Sequence, residues 1–204
     1  MTDMNQPLGQ AVGNSVEVLE CIELLRGEIK DGARPVLDLS IELAARMVML
    51  VELESSIEAA RARINRVYES GAALECFRAN VEAQGGDPRV CDEAAKILPL
   101  TEKSFKVESP RPGFVIKVDT EEIGNAIAEA GGGRVRIDDQ IDPSVGFIAD
   151  VKIGSELQTD DLIGTVFSAD VERGRRAAKR ISSAYEIANE RSPELLSLIK
   201  EVIE

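Results

Sequence analysis

Over the first hundred residues the apolar positions recur every three or four places, and beyond them the chain alternates. Residues 15–26 read as a helix, with Glu17, Glu20 and Glu23 spaced three apart, Asn14 as a natural N-cap and Gly27 as the stop. Pro35 ends the following loop. A second helix opening at Asp38 or Ser40 carries Leu39, Leu43, Met47 and Leu50 on one face. Ser55 or Ser56 caps a third, in which Ile57, Ile64 and Val67 are apolar and Arg61, Arg63 and Arg66 solvated. A fourth, residues 72–84, stops at Gly85-Gly86-Asp87-Pro88.

Composition shifts near Pro99. Phe105 and Val107, then Phe114, Ile116 and Val118, alternate with polar residues as strands do, and Pro110, Pro112 and Gly113 mark a turn between them. Asp119-x-x-Glu122 is a capping box, and its short helix ends at Gly131-Gly132-Gly133, read as a helix C-terminus turning into a strand. Two further strands fall at residues 145–151 and 162–167, with turns at Gly154 and Gly164, before an amphipathic helix over residues 171–189. The first half is helical wrapping without a sheet of its own; the second is an α+β domain. The division expected is 1–99 and 100–204.

Charge and composition narrow the function classes. With 37 acidic and 24 basic residues the net charge is −13, which disfavours nucleic-acid backbones and anionic membrane surfaces as partners. Aromatic residues are only 3% with no Trp, so the core must rest on Leu, Ile, Val and Ala. Cys21, Cys76 and Cys91 are too scattered for a disulfide framework or a zinc site, and Cys21 and Cys76 read as buried thiols. No apolar run is long enough to span a membrane and no secretory signal opens the chain, so a cytoplasmic location is expected. There is no His, and no Ser or Thr stands beside a plausible base. No catalytic or substrate-binding residue is assigned.

The opening, Thr2-Asp3-Met4-Asn5-Gln6-Pro7-Leu8-Gly9-Gln10-Ala11-Val12-Gly13-Asn14, is built of loop formers and feeds a helix, as strand-to-helix loops at the ligand crevice of an open α/β sheet do. Asp3, Asn5 and Gln6 are candidates for ordering it by hydrogen bonds. T-D-M-N-Q-P-L-G-x-A-V-G-N-x-x-E-V-x-E over residues 2–20 resembles the middle of the thymidine and pyrimidine-nucleoside phosphorylases. The likeness continues through A-Q-G-G-D-P at 83–88, G-G-G-R at 131–134, I-D-x-x-V-G-F at 141–147 and K-I-G at 152–154. It covers the C-terminal half of that family alone.

The resemblance implies an α/β fold: the helical remainder of the phosphorylase α/β domain followed by a hammerhead, barrel-sandwich-like C-terminal domain. Lys152 and Lys117, read as lying within strands, lack the neighbours of a biotin- or lipoyl-bearing hairpin tip. It implies that the intact enzyme, a pentosyltransferase, exchanges the base of a pyrimidine nucleoside for phosphate, giving the free base and a (deoxy)ribose 1-phosphate. The family's K-x-S-T-G-G phosphate loop and its base-contacting segment have no counterpart here. Gly131–Arg134 follows a helix, whereas a phosphate cradle precedes one. What the resemblance does carry over is a potassium site: carbonyl oxygens of Leu8 and Ala11 and the carboxylate of Glu20, a half-site expected to bind weakly without the missing ligands. The missing N-terminal half is expected upstream in the gene or as a partner chain. The alternative is a non-catalytic interaction or regulatory module derived from the family. Arg134 and Arg136 read as surface charges.

Overall fold

The computed structural model describes residues 1–191 and 197–203. It is a mixed α/β structure with, among the described residues, two small sheets and no closed barrel. The chain forms two compact units: Leu19–Leu98, and Met1–Val18 together with Pro99–Glu204.

Among the described residues, the discontinuous unit holds the strands. One sheet has the order β1-β4-β6-β2, from β1 (Ala11–Gly13), β4 (Gly146–Ala149), β6 (Leu162–Phe167) and β2 (Ser104–Glu108). The other, β5-β3-β7, comes from β5 (Glu156–Leu157), β3 (Gly113–Val118) and β7 (Tyr185–Ala188), and every pairing is antiparallel. The helices α6 (Thr120–Ile127) and α7 (Val171–Ala184) complete a single apolar core. Val107, Val115, Phe147, Ile163, Val166 and Ile181 are its most deeply buried members. As composition required, this core is aliphatic, with Phe147 the largest fully buried side chain.

Several expectations for this unit are corrected. β2 and β3 flank the predicted turn yet lie in different sheets. Pro110 and Pro112 remove two backbone donors that a hairpin ladder would use, and the β2–β6 register slips between Val107 and Glu108. Gly164 is not a turn; it lies inside β6, where a Cβ would stand 2.3 Å from the Ile148 carbonyl oxygen. The last helix stops at Ala184, and Tyr185 to Ala188 run extended against β3, with Tyr185 and Ile187 inward and Glu186 outward. That period of two was hidden because no Gly or Pro separates it from the helix. Lys152 sits beside the turn at Gly154 rather than within a strand. The capping box is half made: Asp119 accepts from the Glu122 amide at 3.0 Å, while the Glu122 carboxylate takes Arg180 Nε at 2.6 Å. Residues 128–132 close α6 as a π-helical turn, and no strand follows directly.

The helical unit contains most of α1 (Asn14–Leu25) and all of α2 (Arg34–Leu50), α3 (Ile57–Glu69), α4 (Ala72–Ala83) and α5 (Val90–Ile97). α2 starts at Arg34 with Pro35 in its first turn, where the missing N–H costs no hydrogen bond. Its buried face is Leu37, Glu42 and Ala45. Of the stripe read on one face, Leu39 is half-buried, while the rest points outward: Leu43 is 52%, Met47 67% and Leu50 81% exposed. Ser56 caps α3 as expected, its hydroxyl accepting from the Ala59 amide at 3.2 Å. Arg61 is not simply solvated. It donates to the buried Glu42 carboxylate at 2.7 Å, as Arg46 does from one turn along α2. Hydrogen bonding to Arg61, against the cost of burial, holds the Glu42 carboxyl below its ordinary value.

The Gly85-Gly86-Asp87-Pro88 stretch does follow a helix end, α4 stopping at Ala83, but α5 starts two residues after Pro88 and buries Val90, Cys91 and Ala94 against Ile22. A second small cluster joins Leu24, Ala33 and Leu37, where the Tyr68 hydroxyl donates to the Leu24 carbonyl at 2.8 Å. Of the cysteines only Cys91 is buried; Cys21 and Cys76 are exposed, against the reading of both as core thiols. Among the described residues no helix is long and apolar enough to cross a membrane.

Candidate functional site

The opening loop is fastened to the two-sheet unit. Gln6 Oε1 accepts from the Ile153 amide at 2.8 Å. The Gln10 carbonyl accepts from the Ala149 amide at 2.8 Å, and Gln10 Nε2 reaches the Ala149 carbonyl at 3.3 Å. Asn5 donates to Asp3 at 2.7 Å, and Asp3 pairs with Lys200 at 2.7 Å. Of the three side chains expected to order this loop, Gln6 is the one that ties it to the 149–153 segment.

Lys152 makes the most concentrated contact. Its ammonium donates to the carbonyl oxygens of Pro7 at 2.5 Å and Gly9 at 2.5 Å, with that of Leu8 at 3.4 Å. Three successive backbone acceptors thus share one cation. Sequence reasoning dismissed Lys152 as a cofactor carrier without finding this role. The signal was the Pro7-Leu8-Gly9 bend, which can aim neighbouring carbonyls to one side, but nothing local said which cation they meet.

Past the loop, β1 pairs with β4 in the register Ala11↔Ile148 to Gly13↔Gly146. Both glycines of this last pair come from recognisable motifs, and both are needed for closeness. Gly13 has φ +136°, and a Cβ there would lie 2.7 Å from the Val145 carbonyl oxygen; a Cβ on Gly146 would meet Val16 at 2.6 Å. The first turn of α1 therefore sits directly on the sheet. Its start is secured by Glu17, whose carboxylate accepts from the Gly13 amide at 2.9 Å, and by the Ser15 amide on the Pro143 carbonyl at 3.1 Å. Asn14, expected as an N-cap, directs its side-chain amide to the Gly132 carbonyl at 2.8 Å.

That contact shows what the Gly131-Gly132-Gly133 turn offers. The Gly131 carbonyl accepts from the Asp142 amide at 2.8 Å and the Gly132 carbonyl from Asn14. A helix end presenting acceptors is poor ground for a phosphate, which needs donors. Arg136, Arg173 and Arg176 line an open hollow of about 570 Å³ beside this turn. The carboxylates that line it are committed internally: Glu129 to Arg180 at 2.6 Å, Asp139 to the Val135 and Arg136 amides at 3.0 and 2.7 Å. The Arg134 and Arg136 residues are exposed, as read.

For the residues expected to hold potassium, Leu8 lies in the fastened loop and Ala11 opens β1, both in the two-sheet unit, while Glu20 belongs to α1 within the helical unit. Carbonyl and carboxylate oxygens are the right donors for a hard monovalent ion. The Leu8 oxygen already stands near one cation, the Lys152 ammonium.

Two small antiparallel sheets, two helices and a glycine-edged loop make up a nucleoside-phosphorylase type of C-terminal domain: residues 114–188 match the family described as pyrimidine nucleoside phosphorylase C-terminal domain. A pyrimidine-nucleoside phosphorylase of Staphylococcus aureus (strain bovine RF122 / ET3-1) is 34% identical over 191 residues, covering 93% of this chain and 42% of that protein. Those of strains USA300 and NCTC 8325 / PS 47 match at the same identity over the same shares. The chain belongs to the thymidine and pyrimidine-nucleoside phosphorylase family, related to it through the C-terminal portion. It spans 42% of the length of these curated relatives.

Proposed function

We propose that this chain is the C-terminal part of a pyrimidine-nucleoside phosphorylase and serves as scaffold for phosphorolysis rather than as its catalyst. In the complete enzyme a pyrimidine nucleoside and phosphate give the free base and a (deoxy)ribose 1-phosphate, in the cytoplasm. The observation that carries this reading is the 34% identity sustained over 93% of the chain. The remaining phosphate- and base-binding groups come from further polypeptide, in the same chain or a partner. An outward apolar stripe on α2 supports such a partner, since Leu43, Met47 and Leu50 face solvent here.

In that complete enzyme the Leu8 and Ala11 carbonyl oxygens and the Glu20 carboxylate would hold potassium. The ion would supply fixed positive charge near the phosphate-binding loop. This chain's own contribution is to set the loop: Gln6, Gln10 and Lys152 hold it against the 149–153 segment, and Gly13 lets α1 start on the sheet.

Purified residues 1–204, given thymidine or uridine and phosphate, should release no base above the uncatalysed rate, followed by chromatography of the product. Turnover that survives controls for host enzyme would overturn the reading. Restored turnover on adding an N-terminal phosphorylase half would support it against a purely regulatory module.

A further inference from the structure

Helix α7 is a basic element in an acidic chain. It carries Arg173, Arg175, Arg176, Lys179 and Arg180 against Glu172 alone, in a protein of 24 basic and 37 acidic residues. Arg173, Arg176 and Arg180 follow at i, i+3 and i+7 and share one helical face. Arg180 is consumed there, taken by Glu122 and Glu129 at 2.6 Å each. The other two are not. Among the described residues no carboxylate stands within ion-pair distance of Arg176. Arg173 has only Asp170, at 3.7 Å, and that carboxylate already caps α7 by accepting from the Glu172 and Arg173 amides at 3.0 Å each.

Arg136 joins this pair in lining the hollow of about 570 Å³. Its loop is braced from within: the Asp139 carboxylate accepts from the Val135 and Arg136 amides, and the Asp139 amide donates to the Arg136 carbonyl at 3.1 Å. Arg173 lies over the Gly131 turn, its Nη1 3.6 Å from where a Cβ on Gly131 would stand. Because Glu129 and Asp139 are engaged elsewhere, the three guanidinium groups keep donors to spare. A guanidinium is a planar fork that matches two oxygens of a phosphate at once. Val135, 64% exposed, adds an apolar wall to the same hollow, and Gln140 an amide. The volume is that of a small-molecule site with a few placed polar groups.

We propose that Arg136, Arg173 and Arg176 bind a phosphomonoester dianion of the sugar-phosphate class, its phosphate on the guanidinium groups and its carbon skeleton against Val135. The inference goes beyond the phosphorylase reading and needs no part of it. The donors are side chains, so the carbonyl-bearing turn beside the hollow, poor ground for phosphate by itself, does not oppose it.

The test is calorimetric titration of the full chain at fixed ionic strength with ribose 5-phosphate, inorganic phosphate and ribose. Ribose 5-phosphate should saturate a single site. Inorganic phosphate should bind several-fold more weakly, having nothing to lay on Val135, and ribose should not bind. Arg136→Gln and Arg176→Gln should each weaken ribose 5-phosphate about tenfold or more, the loss expected with a charge-assisted hydrogen bond. Arg173→Lys keeps the charge without the fork and should weaken it several-fold. Arg175→Gln removes the same charge from α7 but lines a different hollow, with Lys179, and should change nothing. All four side chains are exposed, so the variants should keep the fold, checked by circular dichroism. Wild-type affinity in both Arg136→Gln and Arg176→Gln would overturn the proposal. An equal loss in Arg175→Gln would do the same, because it would show only the general pull of a basic helix. Inorganic phosphate binding as tightly as ribose 5-phosphate would overturn the ligand class, and no saturable binding at two temperatures would overturn the site.

Discussion

The two units bury apolar surface in very different ways. In the two-sheet unit one continuous core runs from both sheets into α6 and α7, and Val107, Val115, Phe147, Ile163, Val166 and Ile181 are fully enclosed. The helical unit has two small clusters instead, around Ile22 with Cys91 and around Leu24 with Leu37, while α4 buries no residue completely. It also turns Leu43, Met47 and Leu50 outward. The first unit has the packing of a domain that can stand alone; the second has helices with one face satisfied and another waiting. Cooperative protection against exchange should accordingly be deeper in β3, β4 and β6 than in α2 or α4.

The largest effect that tests this contrast is in the enclosed core. Phe147→Ala empties a fully buried ring site between β4 and its neighbours, and should cost about 3–5 kcal/mol in denaturant unfolding. Leu37→Ala in the helical unit, at 8% exposure and on the edge of a small cluster, should cost about 2 kcal/mol, because its surroundings can collapse. Equal losses would mean the two units are packed alike.

A smaller effect isolates the polar contact that helps hold α2 to α3. Glu42 is 7% exposed and receives both Arg46 and Arg61, whose side chains are 37% and 43% exposed. Glu42→Gln should cost about 1–2 kcal/mol at neutral pH, less than a fully enclosed pair because water screens the arginines. The folded-state carboxyl is held below its ordinary value of 4.5. The stabilisation is therefore complete above the unfolded value and is lost as pH falls through the folded one. The wild-type advantage over Glu42→Gln should be flat above about pH 5.5 and shrink below about pH 4.5. An advantage that grows on acidification would refute this assignment.

Which parts of this were legible in the sequence follows from whether the deciding forces are local. The α3 cap at Ser56, the stop at Gly85-Gly86 and the alternation of β2 are set within a few residues, and each is where the pattern places it, whereas in β3 an irregularity between Val115 and Lys117 turns Val115 rather than Ile116 fully inward. Sheet membership of β2 and β3, the strand at 185–188 and the burial of Glu42 depend on partners 19 to 74 residues away, which periodicity does not register. The motif resemblance located the opening loop, and the glycines at 13 and 146 found their physical reason only in their pairing. Lys152 escaped notice because its acceptors are backbone atoms 143 to 145 residues earlier, and carbonyls carry no signature in the side-chain sequence.

The smallest effect on stability bears on the outward stripe of α2. Apolar residues at i, i+4 and i+7 define one helical face, so Leu43, Met47 and Leu50 form a ridge rather than scattered exposures. The opposite face already carries Leu37, Glu42 and Ala45, so the ridge contributes little to this chain's own folding. Replacing all three by Lys should shift the unfolding free energy by no more than about 0.5 kcal/mol per site. The same triple variant should bind less of a hydrophobic dye and self-associate less at high concentration, because the exposed ridge is the cause of both. It should also lose any activity restored by an added N-terminal half, while the Phe147 core stays native by near-ultraviolet spectroscopy. A loss of about 2 kcal/mol or more per site would instead place these side chains in a packed interior, and the difference between a closed unit and an open one would disappear.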